Sequence, residues 1–185
     1  MKQLKLIGLI LSVIWMHSCN QTAVKNEQPK VLEDWKLLQE NGYTLQYPQD
    51  WTLDQSGQSG TSFIVLSQPS SPDDLFRENV NLLIQDLTGL NMDLDKYTEI
   101  SMDQINMMLT NGNIIENVRR KADGSAFQKV VYTGDQGVFK IYCEQYYWVR
   151  DKKAYVLTLT CETDQLDSYK EIGEQILNSF KFDNN

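Results

Sequence analysis

The stretch that decides the fold is VFKIYCEQYYWVRDKKAYVLTLTCE, residues 138–162. Its two halves, 138–150 and 154–162, are rich in aromatic and β-branched side chains, which favour strands. The short polar segment that begins with Asp151 and Lys152 separates them. We therefore predict two long antiparallel strands joined by a tight turn, and we expect the rest of the sheet to assemble around this hairpin.

The pairing of these two strands decides what Cys143 and Cys161 do. A turn over residues 151–153 would place the two cysteines directly opposite each other. Opposed residues in antiparallel strands have Cα atoms about 4.5–5.5 Å apart, which is within the range of a disulfide. The alternative is two buried free thiols that behave as small hydrophobic side chains. The sequence leaves both arrangements open.

Three aromatic residues of the first strand form a candidate binding patch. Tyr142, Tyr146 and Trp148 alternate with their neighbours and share the face opposite to Cys143. If helices cover both faces of the sheet, these side chains belong to the core. If their face is open, they form an interaction surface, because large exposed apolar patches usually have a partner.

The flanking sequence supplies more strands and two helices. Strands are predicted at residues 35–39, 43–47, 51–53, 61–67, 79–86, 114–121 and 127–133. The spacing of apolar residues predicts helices over residues 94–109 and 164–180, and Ser71-Pro72 favours a short helix start. This order predicts an α+β fold, an antiparallel β-sheet sandwiched by helices, in a single domain over residues 35–182.

The chain opens with a segment that resembles a targeting signal. Lys2 and Lys5 precede an apolar run over residues 6–16, which is shorter than the roughly 20 residues of a membrane-spanning helix. The run has the length of a signal-peptide core and is followed by small Ser18 and then Cys19. It resembles the signal of bacterial lipoproteins, in which the cysteine is lipidated and becomes the new N-terminus.

We therefore predict a signal peptide over residues 1–18, a lipidated Cys19, and a flexible linker over residues 19–34. An ordinary secretory signal and an uncleaved anchor are the alternatives. The polar composition of the linker is typical of a tether. Asn20 follows the cysteine and no acidic run comes after it, which favours the outer membrane and a domain that faces the periplasm. The predicted partners are the membrane, through Cys19, and another envelope protein.

Charge and composition exclude several classes of function. The chain has 17 Lys and Arg residues against 25 Asp and Glu residues, a net charge of −8, which repels nucleic-acid phosphates. Its only histidine, His17, is lost with the predicted signal. The mature chain therefore cannot form a Ser-His-Asp triad, a Cys-His pair or a histidine-ligated metal site. We predict no nucleic-acid partner, no cofactor, no metal site and no catalytic residues.

Two short motifs together resemble the PsbP-like superfamily, which includes PsbP-type, Mog-type and DcrB-type proteins. The first is YTLQYPQDW, residues 43–51, and the second is NSFKF, residues 178–182. The resemblance covers roughly residues 35–182. It implies an antiparallel sheet sandwiched by helices, no shared catalytic residues, and a role in binding other proteins or supporting assemblies.

The first functional hypothesis is accordingly a non-catalytic, membrane-tethered envelope lipoprotein that binds or supports another protein. The second is a binder of a small apolar ligand or lipid, which requires a cavity of a few hundred Å³. The third is a hydrolase that uses carboxylates or a Ser–Lys pair, which requires such a pair inside a cleft.

Overall fold

The computed structural model describes residues 32–183. Predictions for residues 1–18, for Cys19 and for most of the linker therefore lie outside the described residues. In chain order the elements are β1 (Trp35–Glu40), β2 (Tyr43–Pro48), β3 (Thr52–Asp54), β4 (Thr61–Leu66), β5 (Asn79–Asp86), α1 (Leu94–Met108), β6 (Thr110–Ala122), β7 (Ser125–Gln136), β8 (Phe139–Arg150), β9 (Lys153–Glu162), α2 (Leu166–Ser179) and β10 (Lys181–Phe182).

The strands form two antiparallel sheets rather than one. The large sheet has seven strands in the order β3-β4-β5-β9-β8-β7-β6, and the small sheet has three in the order β1-β2-β10. Helix α2 packs against β9 and β5 of the large sheet and against β2 of the small one, whereas α1 packs against β8 and β7. The predicted α+β class, with helices on both faces of an antiparallel sheet, is confirmed.

The hairpin of β8 and β9 turns through two residues, Asp151 and Lys152. Both have positive φ angles, 50° and 57°, the backbone of a type I′ turn, which matches the twist of paired strands. Arg150 therefore pairs with Lys153. The predicted register is wrong by one residue, because it assumed a three-residue turn.

This one-residue difference separates the two cysteines. Cys143 lies opposite Thr160, and Cys161 lies opposite Tyr142. Because side chains alternate between the faces of a sheet, Cys143 belongs to the α1 face and Cys161 to the α2 face. Both are buried free thiols, and the candidate disulfide is therefore wrong for this fold.

The core is divided into two layers by the large sheet. The larger layer lies between the large sheet, the small sheet and α2, and it includes Leu45, Phe63 and Ile176, all fully buried. The smaller layer lies between the sheet and α1, and it includes Tyr97 and Ile105 of the helix. The predicted short helix at Ser71-Pro72 is a turn, because the carboxylate of Asp74 accepts hydrogen bonds from the backbone and hydroxyl of Ser70 (2.7 and 2.9 Å).

A buried ion pair lies in the larger layer. Glu144 of β8 is fully buried, and the Nζ of Lys129 on β7 lies 2.9 Å from its Oε1. The hydroxyl of Tyr142 donates a hydrogen bond to the other oxygen, Oε2, at 3.0 Å. Although burial lowers the pKa of Lys129, its contacts with Glu144 raise that pKa above the usual value overall. A buried carboxylate requires such partners, because an unpaired buried charge is strongly destabilising.

Gly173 allows α2 to pack closely on the sheet. A Cβ atom at this position would lie 2.5 Å from both Cδ atoms of Leu159, which is fully buried. In most helix interiors, replacing Gly by Ala stabilises the protein by about 1 kcal/mol. We expect Gly173→Ala to lower the free energy of unfolding instead, by about 1–3 kcal/mol, because the core is already filled. Urea denaturation measures this difference.

The double variant Gly173→Ala/Leu159→Ala separates the clash from helix propensity. The smaller residue at position 159 removes the clash. The two changes together are therefore expected to lower the free energy of unfolding by less than the sum of the two single changes. A Gly173→Ala protein that is more stable than the wild type would contradict this account of the packing.

Candidate functional site

A groove with a volume of about 490 Å³ lies between α1 and the large sheet. It exists because α1 packs against β7 and β8 and leaves part of the face formed by β4, β5 and β9 open. The wall that α1 supplies consists of Tyr97, Ser101, Gln104, Ile105 and Met108. We name this site the α1 groove.

A row of polar side chains crosses the floor of the α1 groove. Asn81 of β5 pairs with Thr158 of β9, which in turn pairs with Gln145 of β8. The Nε2 of Gln145 donates a hydrogen bond to the Oγ1 of Thr158 at 3.1 Å, and the hydroxyl of Tyr147 donates to the Oε1 of Gln145. These bonds orient the amide, which retains a second N–H donor and a second acceptor site for a ligand.

Apolar side chains flank this polar row. Leu83, Ile141 and Val156 line the groove from the sheet. Tyr97 of α1 contacts Tyr147 edge to face, with ring centroids 5.8 Å apart. The hydroxyl of Tyr97 donates a 2.5 Å hydrogen bond to the Oε1 of Gln85 on β5. The helix is thus held to the sheet at one end of the groove, and its floor offers both apolar and hydrogen-bonding contacts.

The α1 groove carries no formal charge. None of its 21 lining residues is Asp, Glu, Lys, Arg or His, although 23% of the residues in the chain are charged. Burial raises the pKa of the Cys143 thiol on the floor, so the thiol stays protonated at neutral pH and is a poor nucleophile. The arrangement is therefore suited to holding a neutral ligand, and its lining has no carboxylate pair or Ser–Lys pair.

The predicted aromatic patch lies on the other face and is part of the core. Tyr142, Tyr146 and Trp148 are 5%, 5% and 7% exposed. The hydroxyl of Tyr146 donates to the Oδ1 of Asn178 in α2 at 3.2 Å, and the ring of Trp148 packs on Phe180, with centroids 5.2 Å apart. The interpretation of these three residues as an exposed binding patch is therefore wrong, because α2 and the small sheet cover them.

The apolar spacing of residues 94–109 predicts an amphipathic helix but no groove beside it. In the structure, Tyr97 and Ile105 of this helix line the α1 groove. The missed signal is the polar residue at an inward position of an otherwise apolar strand, as with Gln145 in β8 and Thr158 in β9. Such residues mark a face that is incompletely covered, because buried polar groups need partners.

Two further observations limit what the described residues can do. Within residues 32–183, no group of three or more Cys, His, Asp or Glu side chains is arranged to hold a metal ion. Asp93, which belongs to a segment with alternating carboxylates, instead caps α1 by accepting a hydrogen bond from the Lys96 backbone at 2.9 Å. In the same residues, no helix is both long and apolar enough to cross a membrane.

Comparison with known protein families gives one clear match. The model of the PsbP-like protein family matches residues 15–182, which covers most of the chain and both sequence motifs that carry the resemblance. The chain belongs to the PsbP-like protein family. The match begins further towards the N-terminus than the predicted domain boundary at residue 35. A search of curated proteins finds no match.

Solved structures show the same fold in proteins of low sequence identity. A Pseudomonas aeruginosa protein of unknown function, PA94, described as a putative regulator, is 14% identical over 80% of this chain and 96% of its own, with a TM-score of 0.56. The cyanobacterial PsbP (CyanoP) of Synechocystis is 18% identical over 84% of this chain and 96% of its own, with a TM-score of 0.56.

A third similar structure is LpqN of Mycobacterium tuberculosis, described as involved in cell envelope biogenesis. It is 12% identical over 81% of this chain and 91% of its own, with a TM-score of 0.58. At these identities the similarity establishes only the fold of this PsbP-like chain.

One acid outside the groove is buried and has a raised pKa, as catalytic acids often do. Glu78, just before β5, is 2% exposed, and burial raises the pKa of its carboxyl group. The Oγ of Ser67 donates a hydrogen bond to its Oε2 at 3.2 Å. Because the side chain has almost no contact with solvent, its position is structural in this fold.

The raised pKa of Glu78 predicts how stability depends on pH. The folded protein favours the protonated form of Glu78. The contribution of this group to the free energy of unfolding is therefore fully present below the pKa that Glu78 has in the unfolded chain, and it is lost as pH rises through the raised pKa of the folded protein. We expect Glu78→Gln to be more stable than the wild type at pH 7, with the difference shrinking near pH 4. Urea denaturation at both values measures this.

Glu99→Gln is the matched control, because Glu99 is exposed on α1 and undergoes the same change from carboxylate to amide. It is expected to leave stability nearly unchanged at both pH values. If Glu78→Gln were less stable than the wild type at pH 7, the ionised carboxylate would be the stabilising form, which contradicts a raised pKa of Glu78 in the folded protein.

Proposed function

We propose that this PsbP-like chain is a lipid-anchored, non-catalytic module of the bacterial cell envelope that binds another protein through the α1 groove. The observation that carries the proposal is the uncharged lining of the groove, which combines fixed amide and hydroxyl groups with apolar side chains. Such a surface binds by hydrogen bonds and apolar contact. It does not bring together an acid and a base, as proton-transfer chemistry requires.

The family and its relatives support this role. Of the three similar structures, one is described as a putative regulator, one is a PsbP protein, and one is described as involved in cell envelope biogenesis. The anchor is inferred from the signal-like residues 1–18 and from Cys19. An outer-membrane position that faces the periplasm remains part of the proposal.

The second candidate function is the binding of a small apolar ligand or lipid. The specific observation in its favour is the volume of the groove, about 490 Å³, which lies in the usual range for small-molecule sites. The polar row formed by Asn81, Thr158 and Gln145 argues against a purely apolar occupant. Such a ligand would cover the donors and acceptors that remain on these side chains, beyond the bond between Gln145 and Thr158, without pairing them.

The lipid anchor is tested by replacing its cysteine. Each buried methylene contributes about 0.8 kcal/mol to membrane binding, so loss of the acyl chains abolishes stable attachment. We expect Cys19→Ala to move the protein from the membrane fraction to the soluble fraction and to remove the lipid mass seen by mass spectrometry. Cys143→Ala, the same change at a buried position, is expected to leave the protein in the membrane fraction and to keep the lipid mass. A Cys19→Ala protein that stays membrane-bound with unchanged mass would contradict the anchor.

Protein binding through the groove is tested by site-specific photo-crosslinking in intact cells. A photoreactive amino acid replaces either Gln104 on the wall of the groove or Gln175, which is exposed on α2 at the opposite face. We expect a single reproducible protein adduct, identified by mass spectrometry, from position 104 and none from position 175. The absence of a protein adduct at both positions would contradict the proposal.

A further inference from the structure

We infer that the α1 groove recognises an extended, uncharged peptide segment of about five residues that carries apolar side chains. This inference rests on the proposed protein-binding function and adds the chemical class of the bound segment. It is argued from the shape of the groove, from the hydrogen-bonding groups on its floor and from the absence of charge in its lining.

The shape of the groove favours a linear ligand. Residues that line it recur along α1 from Tyr97 to Met108. At 1.5 Å per helical residue this wall is about 16 Å long, and an extended peptide advances about 3.3 Å per residue, so it spans about five residues. The floor beside this wall spans five adjacent strands, from β4 to β7, so an extended chain that lies along α1 can place its side chains across the sheet.

The floor favours a ligand with regularly placed donors and acceptors. The backbones of β5, β9 and β8 are paired with one another, so a bound segment cannot join the sheet as another strand and must be recognised by side chains. The amides of Asn81, Gln145 and Gln104 each offer a donor and an acceptor, as a peptide unit does. An acyl chain offers neither, so it would cover the remaining donors and acceptors of Asn81 and Gln145 without pairing them.

The electrostatics favour a neutral segment. A charged side chain placed in the groove would lose water and find no opposite charge in the lining, which is unfavourable. Apolar side chains have partners in Leu83, Ile105 and Val156. At the end of the wall, Met108 and its neighbour Met107 are 80% and 78% exposed, and flexible methionine side chains adapt to varied apolar groups.

The test uses a phage-displayed library of random seven-residue peptides selected on the purified full-length protein. We expect the enriched peptides to share a run of about five residues without charge that contains apolar side chains. The affinity of the best synthetic peptide is then measured for the wild type and for two variants of α1. Gln104→Trp fills the groove, whereas Asn106→Trp places the same side chain at an exposed position of the same helix that does not line the groove.

We expect Gln104→Trp to weaken binding of the peptide at least tenfold and Asn106→Trp to change it less than twofold, with both variants folded by circular dichroism. Enrichment of charged peptides, or equal binding by both variants, would overturn the inference. Binding of palmitate, used as a probe, that is lost in Gln104→Trp while no peptide is enriched would assign the groove to an acyl chain instead. A protein adduct at position 104 without any enriched peptide would keep the proposed function and remove only this inference.

Discussion

The register of the β8–β9 hairpin is the constraint on which the rest of the structure depends. Asp151 and Lys152 close the turn, and both have a left-handed backbone conformation. Arg150 therefore pairs with Lys153. Because side chains alternate between the faces of a sheet, a slip of one residue would invert the faces of one strand against the other. The observed register places Gln145 opposite Thr158 on the α1 face and Glu144 opposite Leu159 on the α2 face.

The two faces of the sheet are completed in different ways. The α2 face is covered by a helix and by a second sheet, and its aromatic residues are packed in a continuous cluster that includes Trp148, Phe180 and Phe182. The α1 face is covered by one helix only. The well-packed layer supplies the apolar burial that stabilises the domain, and the thinner layer can therefore leave a groove open. One face of the sheet is therefore packed, and the other leaves the α1 groove above a floor of paired strands.

Much of the fold could be predicted from local patterns. The strand predicted at residues 79–86 is observed as β5, and the helix predicted at residues 94–109 is observed as α1, Leu94–Met108. These elements have strong periodicity, which reports directly on which residues face a core. The α+β class follows from their order, and the PsbP-like family from two short motifs.

The features that could not be predicted depend on contacts between distant parts of the chain. The small sheet needs β10, whose Phe182 pairs with Tyr43 of β2, and no local pattern indicates that partner. Without the small sheet, the alternation of Tyr142, Tyr146 and Trp148 fits an exposed patch as well as a core. The prediction of the β8–β9 register failed for a local reason. Turns of two and of three residues differ in their backbone angles, and the residue types of Asp151 and Lys152 do not show which angles they adopt.

The charge distribution of the chain bears on the proposed binding of a neutral segment. The chain carries 25 acidic residues against 17 basic ones, and a net negative field disfavours the approach of acidic ligands. Inside the α1 groove no formal charge opposes a neutral segment, which loses little hydration energy on entry compared with an ion. The chain shares its framework with proteins that are only 12–18% identical to it. Since the fold alone does not specify function, the proposed binding rests on the neutral row of Asn81, Thr158 and Gln145 on the groove floor and not on the shared framework.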